Sequence, residues 1–198
     1  MKSNFTVETE LHPLQPFIPK SARILLLGSF PPPHARWSIE FYYPNFQNDM
    51  WRIWGLLCFG NKDHFTLAER KCYDREKIVD FCATAGIALY DTACAVRRTN
   101  GDAADKFLEI VTPTDIAALL DRMPDCHTIV ATGSLSAETI AQRFASPIPA
   151  AATSLPIVVA GRSVDFWRMP SSSRAYPMSL ERKAAAYGQL AHLLRLNY

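Results

Sequence analysis

The sequence is short of the features that usually give a function away. Lys and Arg number 21 against 19 Asp and Glu, a formal net charge of +2, so bulk charge argues neither for nor against a polyanionic partner. A local basic face would be invisible in that total. The cysteines Cys58, Cys72, Cys82, Cys94 and Cys126 are odd in number and widely spaced, with no Cys-x-x-Cys pair to hold zinc or a cluster, and read as small core residues. No apolar run is long enough to span a bilayer, and residues 1–20 lack the basic segment and apolar stretch of a secretory signal. No membrane association is expected, and a reducing cytoplasm is the expected home. The histidines show no metal-ligand spacing, no Gly-rich loop ends in Lys-Ser/Thr, and no Gly-x-Ser-x-Gly elbow occurs. Metal-site, P-loop and serine-hydrolase readings therefore have no footing, and no cofactor is expected. Internal repeats and low-complexity tracts are absent as well.

What is present is a 198-residue chain that is 48% hydrophobic and 20% charged, enough for one globular domain with a substantial core. Pro13, Pro16 and Pro19 make regular structure improbable in residues 1–22 beyond the first few, so that stretch reads as an arm and 23–198 as a single domain. Apolar runs at 24–27, 87–90 and 127–131 predict buried strands. Residues 155–160 and 164–169 predict a hairpin around Gly161-Arg162. Between them, helical periodicity marks 49–59, 74–85, 114–120, 134–144 and 179–196, with Asn48 and Thr114 as N-caps and Gly86 as a stop. A polar loop is expected over 97–105. The alternation of strands and helices predicts a three-layer α/β/α sandwich with a mostly parallel central four-stranded sheet.

Ligands of such sheets sit beyond the carboxyl ends of the strands. Four ends meet there: residues 28–30, Asp91-Thr92, residues 132–134, and residues 170–174. The loop after the first strand carries Arg36, Trp37, Phe41, Tyr42 and Tyr43, then Asn45, Gln47 and Asn48. Aromatics and amides with little charge suit a pocket that stacks on a flat ring and hydrogen-bonds its edges. A nucleobase fits that description.

Gly28-Ser29-Phe30-Pro31, Asn48-Asp49-Met50-Trp51, the segment 86–97 and Pro170-Ser171-Ser172-Ser173 together resemble the uracil-DNA glycosylase superfamily, and most closely its hypoxanthine-DNA glycosylase branch. The likeness runs from about residue 24 to 176. It implies hydrolysis of the N-glycosidic bond between deoxyribose and a deaminated base, uracil or hypoxanthine, flipped out of DNA in base excision repair. It also implies that Asn48 positions the attacking water, a role that coexists with a helix N-cap. Asp91 falls where uracil-specific relatives read the base with Asn; as a carboxylate it accepts hydrogen bonds only, which suits N3–H of uracil or N1–H of hypoxanthine. Its bland alternative is a turn cap. Phe30 is expected to stack on the base, with Tyr42 and Tyr43 closing the pocket. Ser29, Thr132, Ser134, Ser171, Ser172 and Ser173 are candidate contacts to DNA phosphates, with Arg97 and Arg98 adding positive potential. Arg174 lies where relatives carry a wedge that fills the space of the flipped base. Phe30 replaces the superfamily's usual Asp or Asn, and Thr132 stands where the branch carries Asn. The expected partner is DNA holding a damaged base, bound by a monomer. Rival readings are a catalytically idle nucleic-acid-binding or damage-sensing protein, and a nucleoside hydrolase.

Overall fold

The computed structural model describes residues 8–99 and 107–196. In chain order the first half runs β1 (Thr9–Leu11), β2 (Ile24–Gly28), α1 (Met50–Phe59), β3 (Thr66–Leu67), β4 (Cys72–Tyr73), α2 (Arg75–Ala85), β5 (Ile87–Asp91) and β6 (Ala93–Arg98). The second half runs β7 (Leu108–Pro113), α3 (Ile116–Asp121), β8 (Thr128–Thr132), α4 (Ser134–Arg143), β9 (Thr153–Val159), β10 (Arg162–Met169) and α5 (Leu180–Leu193).

The central sheet has the order β5-β2-β8-β10-β9. Its first four strands are parallel, and β9 closes the edge antiparallel to β10. The sheet thus has five strands rather than four, because the predicted hairpin contributes both of its arms. Pro156 in β9 cannot donate a ladder hydrogen bond, which fits that strand for an edge. Strands β2, β5 and β8 are buried along their whole length, as expected of parallel strands covered on both faces. Helix α1 packs on α5, α2 on β5 and α4 on β8. Trp51, Trp54, Tyr187 and Phe166 are fully buried in the core, each contributing about 1.5–3 kcal/mol or more from the apolar surface removed from water.

A second sheet, antiparallel with order β1-β6-β7, departs from the expected arm and polar loop. Three residues before Pro13 are enough to pair: Thr9, Glu10 and Leu11 lie opposite Arg97, Val96 and Ala95. Further on, Phe17 exchanges backbone hydrogen bonds with Leu89 at 3.0 and 2.9 Å, so the proline-rich segment lies along the edge of β5. Arg97 and Arg98 accordingly belong to a strand, with the preceding Val96 buried. Residues 100–105 of the expected loop lie outside the described residues.

Helix starts differ from expectation by a residue or two, for a local reason. Asp115, not Thr114, caps α3 by accepting from the Ala118 N–H, because the Thr114 hydroxyl donates to the Asp91 carbonyl at 2.7 Å. Asp49 occupies the N-cap position of α1 without a side-chain cap bond. The Asn48 side-chain carbonyl takes over, accepting from the Met50 N–H at 2.9 Å.

Candidate active site

The parallel strands end side by side. Gly28 lies opposite Asp91 and Met169 opposite Thr132, and the loops that follow enclose a cleft of about 610 Å³. Ser29, Phe30, Tyr42, Tyr43, Asn48, Asp91, Thr132 and residues 171–173 all line it. Ser134, Arg97, Arg98 and Arg174 are not among its lining residues.

Asp91 stands at the floor, 6% exposed. Its Oδ2 is 2.9 Å from Nε2 of His12, a residue of the proline-rich segment that sequence reasoning set aside. The neighbouring Gly28 is required by space: a Cβ there would overlap Asp91 Oδ1, so glycine lets the carboxylate lie against the β2 backbone. Phe30 is half-buried, edge-on to His12 with ring centroids 5.3 Å apart. Beneath it, the Arg98 guanidinium sits 5.6 Å from the ring centroid. Arg98 is buried and donates internally, from Nε to Glu10 at 3.0 Å and from Nη2 to the Pro31 carbonyl at 2.6 Å. It braces the proline loop. Arg97 points elsewhere, toward Glu109 across the ladder at 3.6 Å.

The two tyrosines divide their tasks. The Tyr42 hydroxyl donates to the Gln15 carbonyl at 2.8 Å, which turns its polar end into the proline-rich segment. Tyr43 adopts φ 49, a left-handed conformation that costs a bulky residue roughly 1–3 kcal/mol and recurs at functional sites. The Thr132 hydroxyl donates to the Leu27 carbonyl at 3.2 Å, so the Tyr43 hydroxyl, 2.9 Å away, donates to Thr132. Thr132 is thereby consumed inside the wall. Burial, reinforced by the Asp91 charge, pushes both phenols well above their ordinary value of 10.0. They face the cleft as neutral groups.

Asn48 is held from several sides. It forms an antiparallel bridge with Ser173, and its carbonyl accepts from the Tyr73 hydroxyl. The next residue carries the anchor. Asp49 N–H donates to the Ser172 carbonyl at 2.8 Å, and its carboxylate meets Lys183 at 2.9 Å and Arg174 at 3.0 Å. Lys183 is 0% exposed and also donates to the Ser173 carbonyl at 2.8 Å. Arg174, half-exposed, is therefore engaged with Asp49 in this state rather than reaching over the cleft.

In the serine turn, the Ser171 hydroxyl accepts from the Ser173 N–H and the Ser173 hydroxyl from the Ala175 N–H, each at 3.2 Å; Ser172 is buried. Ser134 accepts from Arg168 at 3.1 Å. Sequence reasoning missed His12, Asp49 and Lys183. Lys183 did leave a signal, since it falls on the stripe with Leu180, Ala184, Tyr187 and Leu190 that faces the core, where a lone cation requires a buried partner. His12 left none, because its partner lies 79 residues away.

No protein-family model and no curated protein matches this sequence. The fold itself defines a class, a mixed α/β domain with a mostly parallel sheet and a cleft at its carboxyl edge. The same fold is found in the solution NMR structure of a candidate uracil DNA glycosylase from Methanosarcina acetivorans, with a TM-score of 0.61 and 19% identity over 92% of this chain and 96% of that one.

Proposed function

We propose that this protein is a monofunctional DNA glycosylase of the uracil-DNA glycosylase type, hydrolysing the N-glycosidic bond of a flipped deaminated base in base excision repair, with hypoxanthine or uracil as the base. The observation that carries this reading is the convergence of Phe30, Tyr43, Asn48, Asp91 and the 171–173 turn on one cleft large enough for a nucleoside. The shared fold supports it. Phe30 offers the face on which the base stacks, worth about 1–3 kcal/mol. Asp91 accepts from the ring N–H.

One lone pair of the Asn48 side-chain carbonyl is fixed by the Met50 N–H, and the other is available to orient a water. That water attacks C1′ of the sugar as the glycosidic bond breaks; its oxygen ends on C1′ and a proton ends on the released base. An amide takes no proton, so Asn48 contributes orientation, and fixed dipoles around the departing base contribute the rest. The 171–173 turn and Ser29 lie where the phosphates flanking a flipped nucleotide would pass. Monomeric action on DNA, without cofactor, and a cytoplasmic location belong to the same proposal.

The test is incubation with oligonucleotides carrying one uracil or one hypoxanthine, single-stranded and opposite each base, followed by alkaline cleavage at abasic sites. Strand scission at the lesion is the expected result. Measurable DNA binding without scission would replace this reading by an idle lesion binder, which the phenylalanine at position 30 favours; hydrolysis of free nucleosides alone would make it a nucleoside hydrolase.

A further inference from the structure

His12 touches Asp91 and Phe30 of the cleft, although it comes from a segment far away in sequence. Its backbone N–H donates to the Cys94 carbonyl at 2.8 Å, which fixes the residue to the end of β1. The ring lies against Tyr90 at 4.6 Å and against Phe30 at 5.3 Å between centroids, and its side chain is 2% exposed. The Leu14 N–H reaches Nδ1 at 3.1 Å. Nδ1 is also 2.9 Å from the Leu14 carbonyl, so it is the carboxylate that assigns the other nitrogen: Nε2, 2.9 Å from Asp91 Oδ2, has to be a donor, because an ionised carboxylate only accepts. Asp91 Oδ2 is thus taken. Oδ1, against Gly28 on the cleft floor, is left to the ligand.

We propose that His12 is a positioning residue that makes Asp91 a single-acceptor reader, and that this is what separates hypoxanthine from guanine in the cleft. The inference rests on the glycosylase reading above. A carboxylate with both oxygens free presents two acceptors side by side, which matches the adjacent N1–H and amino N–H of guanine in a bidentate pair. Hypoxanthine lacks the amino group and offers N1–H alone. Once His12 occupies Oδ2, the guanine amino group enters the cleft with no partner, and an unpaired buried donor costs about 1–3 kcal/mol. For a repair enzyme the distinction is essential, because guanine is an ordinary base of the same shape.

The experiment measures binding of duplexes that carry 2′-fluoro-deoxyinosine or 2′-fluoro-deoxyguanosine, whose glycosidic bonds resist hydrolysis, by the wild type, His12→Ala and His12→Gln. Melting temperatures are recorded alongside. The Gln amide nitrogen reaches the place of Nε2 and restores the N–H. The wild type is expected to prefer the inosine duplex by roughly 5- to 150-fold, the equivalent of that cost. In His12→Ala the preference is expected to fall toward unity, and His12→Gln should recover most of it. A preference unchanged in His12→Ala, or lost equally in both variants, overturns the proposal. Should His12→Ala fail to fold, His12→Gln still decides: a folded His12→Gln that loses the preference refutes the donor role. Hydrolysis of deoxyinosine oligonucleotides without any effect of His12 would leave the glycosylase reading standing and remove this one. Selective binding that depends on His12 but is never followed by hydrolysis would do the reverse, and a wild type that binds neither duplex would remove both.

Discussion

Replacing Lys183 by Met tests whether a buried charge holds the Asn48–Asp49 segment in place. The ammonium is fully buried, with the Asp49 carboxylate at 2.9 Å and the Ser173 carbonyl at 2.8 Å as its partners. Methionine keeps most of the stem volume, so packing loss is small. What disappears is the charge. Removing one partner of a buried pair costs about 3–5 kcal/mol, because the other is left uncompensated. Arg174 remains on the other Asp49 oxygen at 3.0 Å, but it is half-exposed and screens only part of the loss. The lower end, about 3 kcal/mol, is therefore expected, which for a domain of this size lowers Tm by roughly 6–12 °C.

Circular-dichroism melts and urea titrations measure it. Adding Asp49→Asn to Lys183→Met removes the stranded charge and should return part of the lost stability, a positive coupling in a double-mutant cycle. Base release should fall further than stability does, since Lys183 and Asp49 together hold the Asn48–Ser173 bridge. A Lys183→Met protein that melts within about 2 °C of wild type, or a double variant that shows no coupling, would refute the account.

Asn48→Ala should abolish base release and also lower stability by about 1 kcal/mol, since the side chain caps the Met50 N–H; Asn48→Asp keeps the acceptor and should keep the Tm, which a thermal melt separates from an activity assay. Gly28→Ala puts a Cβ onto Asp91 Oδ1 and should cost about 1–3 kcal/mol by overpacking, with loss of ligand binding in titration calorimetry exceeding the loss of stability. Alkali should destabilise the fold. Burial raises Tyr42, Tyr43 and Tyr187 well above 10.0, the value at which the unfolded chain ionises them. The native state then retains protons that the unfolded state releases, so their contribution is complete below pH 10 and declines above it. Tyrosinate absorbance should therefore rise together with unfolding, and ionisation well before unfolding would contradict the burial.

The parallel sheet was legible because runs such as Ile24 to Leu27 and Ile87 to Tyr90 carry their burial in local composition, and the helices because apolar periodicity and stops such as Gly86 act within a few turns of themselves. The cleft followed from topology, since strand ends gather wherever parallel strands do. The β1-β6-β7 sheet was not legible. Its strands are short, and Arg97 and Arg98 read as the start of a polar loop because the partners of the buried Arg98, Glu10 and Pro31, come from distant parts of the chain. The same limit hid His12 and the bond between Asp49 and Lys183. Polar residues inside a fold are decided by partners, and partners are fixed only when distant segments meet.

Phenylalanine at position 30, where the superfamily that the sequence resembles carries an acid or amide, follows from what surrounds it. Among the described residues lining the cleft, Asp91 is the one carboxylate. In the proposed reaction the departing base gathers negative charge as its bond to the sugar breaks, and two unit charges 4 Å apart repel by about 4 kcal/mol at an effective dielectric near 20. The His12 N–H on Asp91 Oδ2 draws charge away from the base, and phenols held neutral in Tyr42 and Tyr43 add none. A second carboxylate at position 30 would sit beside the His12 ring, compete with Asp91 for its N–H, and add repulsion against both Asp91 and the leaving group. The aromatic side chain instead keeps the site at one negative charge and supplies a stacking face. Phe30→Asp should therefore lower base release rather than restore a missing acid, by the lost stacking of about 1–3 kcal/mol together with the added repulsion. Single-turnover assays across pH would decide it, because a variant faster than wild type at neutral pH would show that the acid had been missing all along.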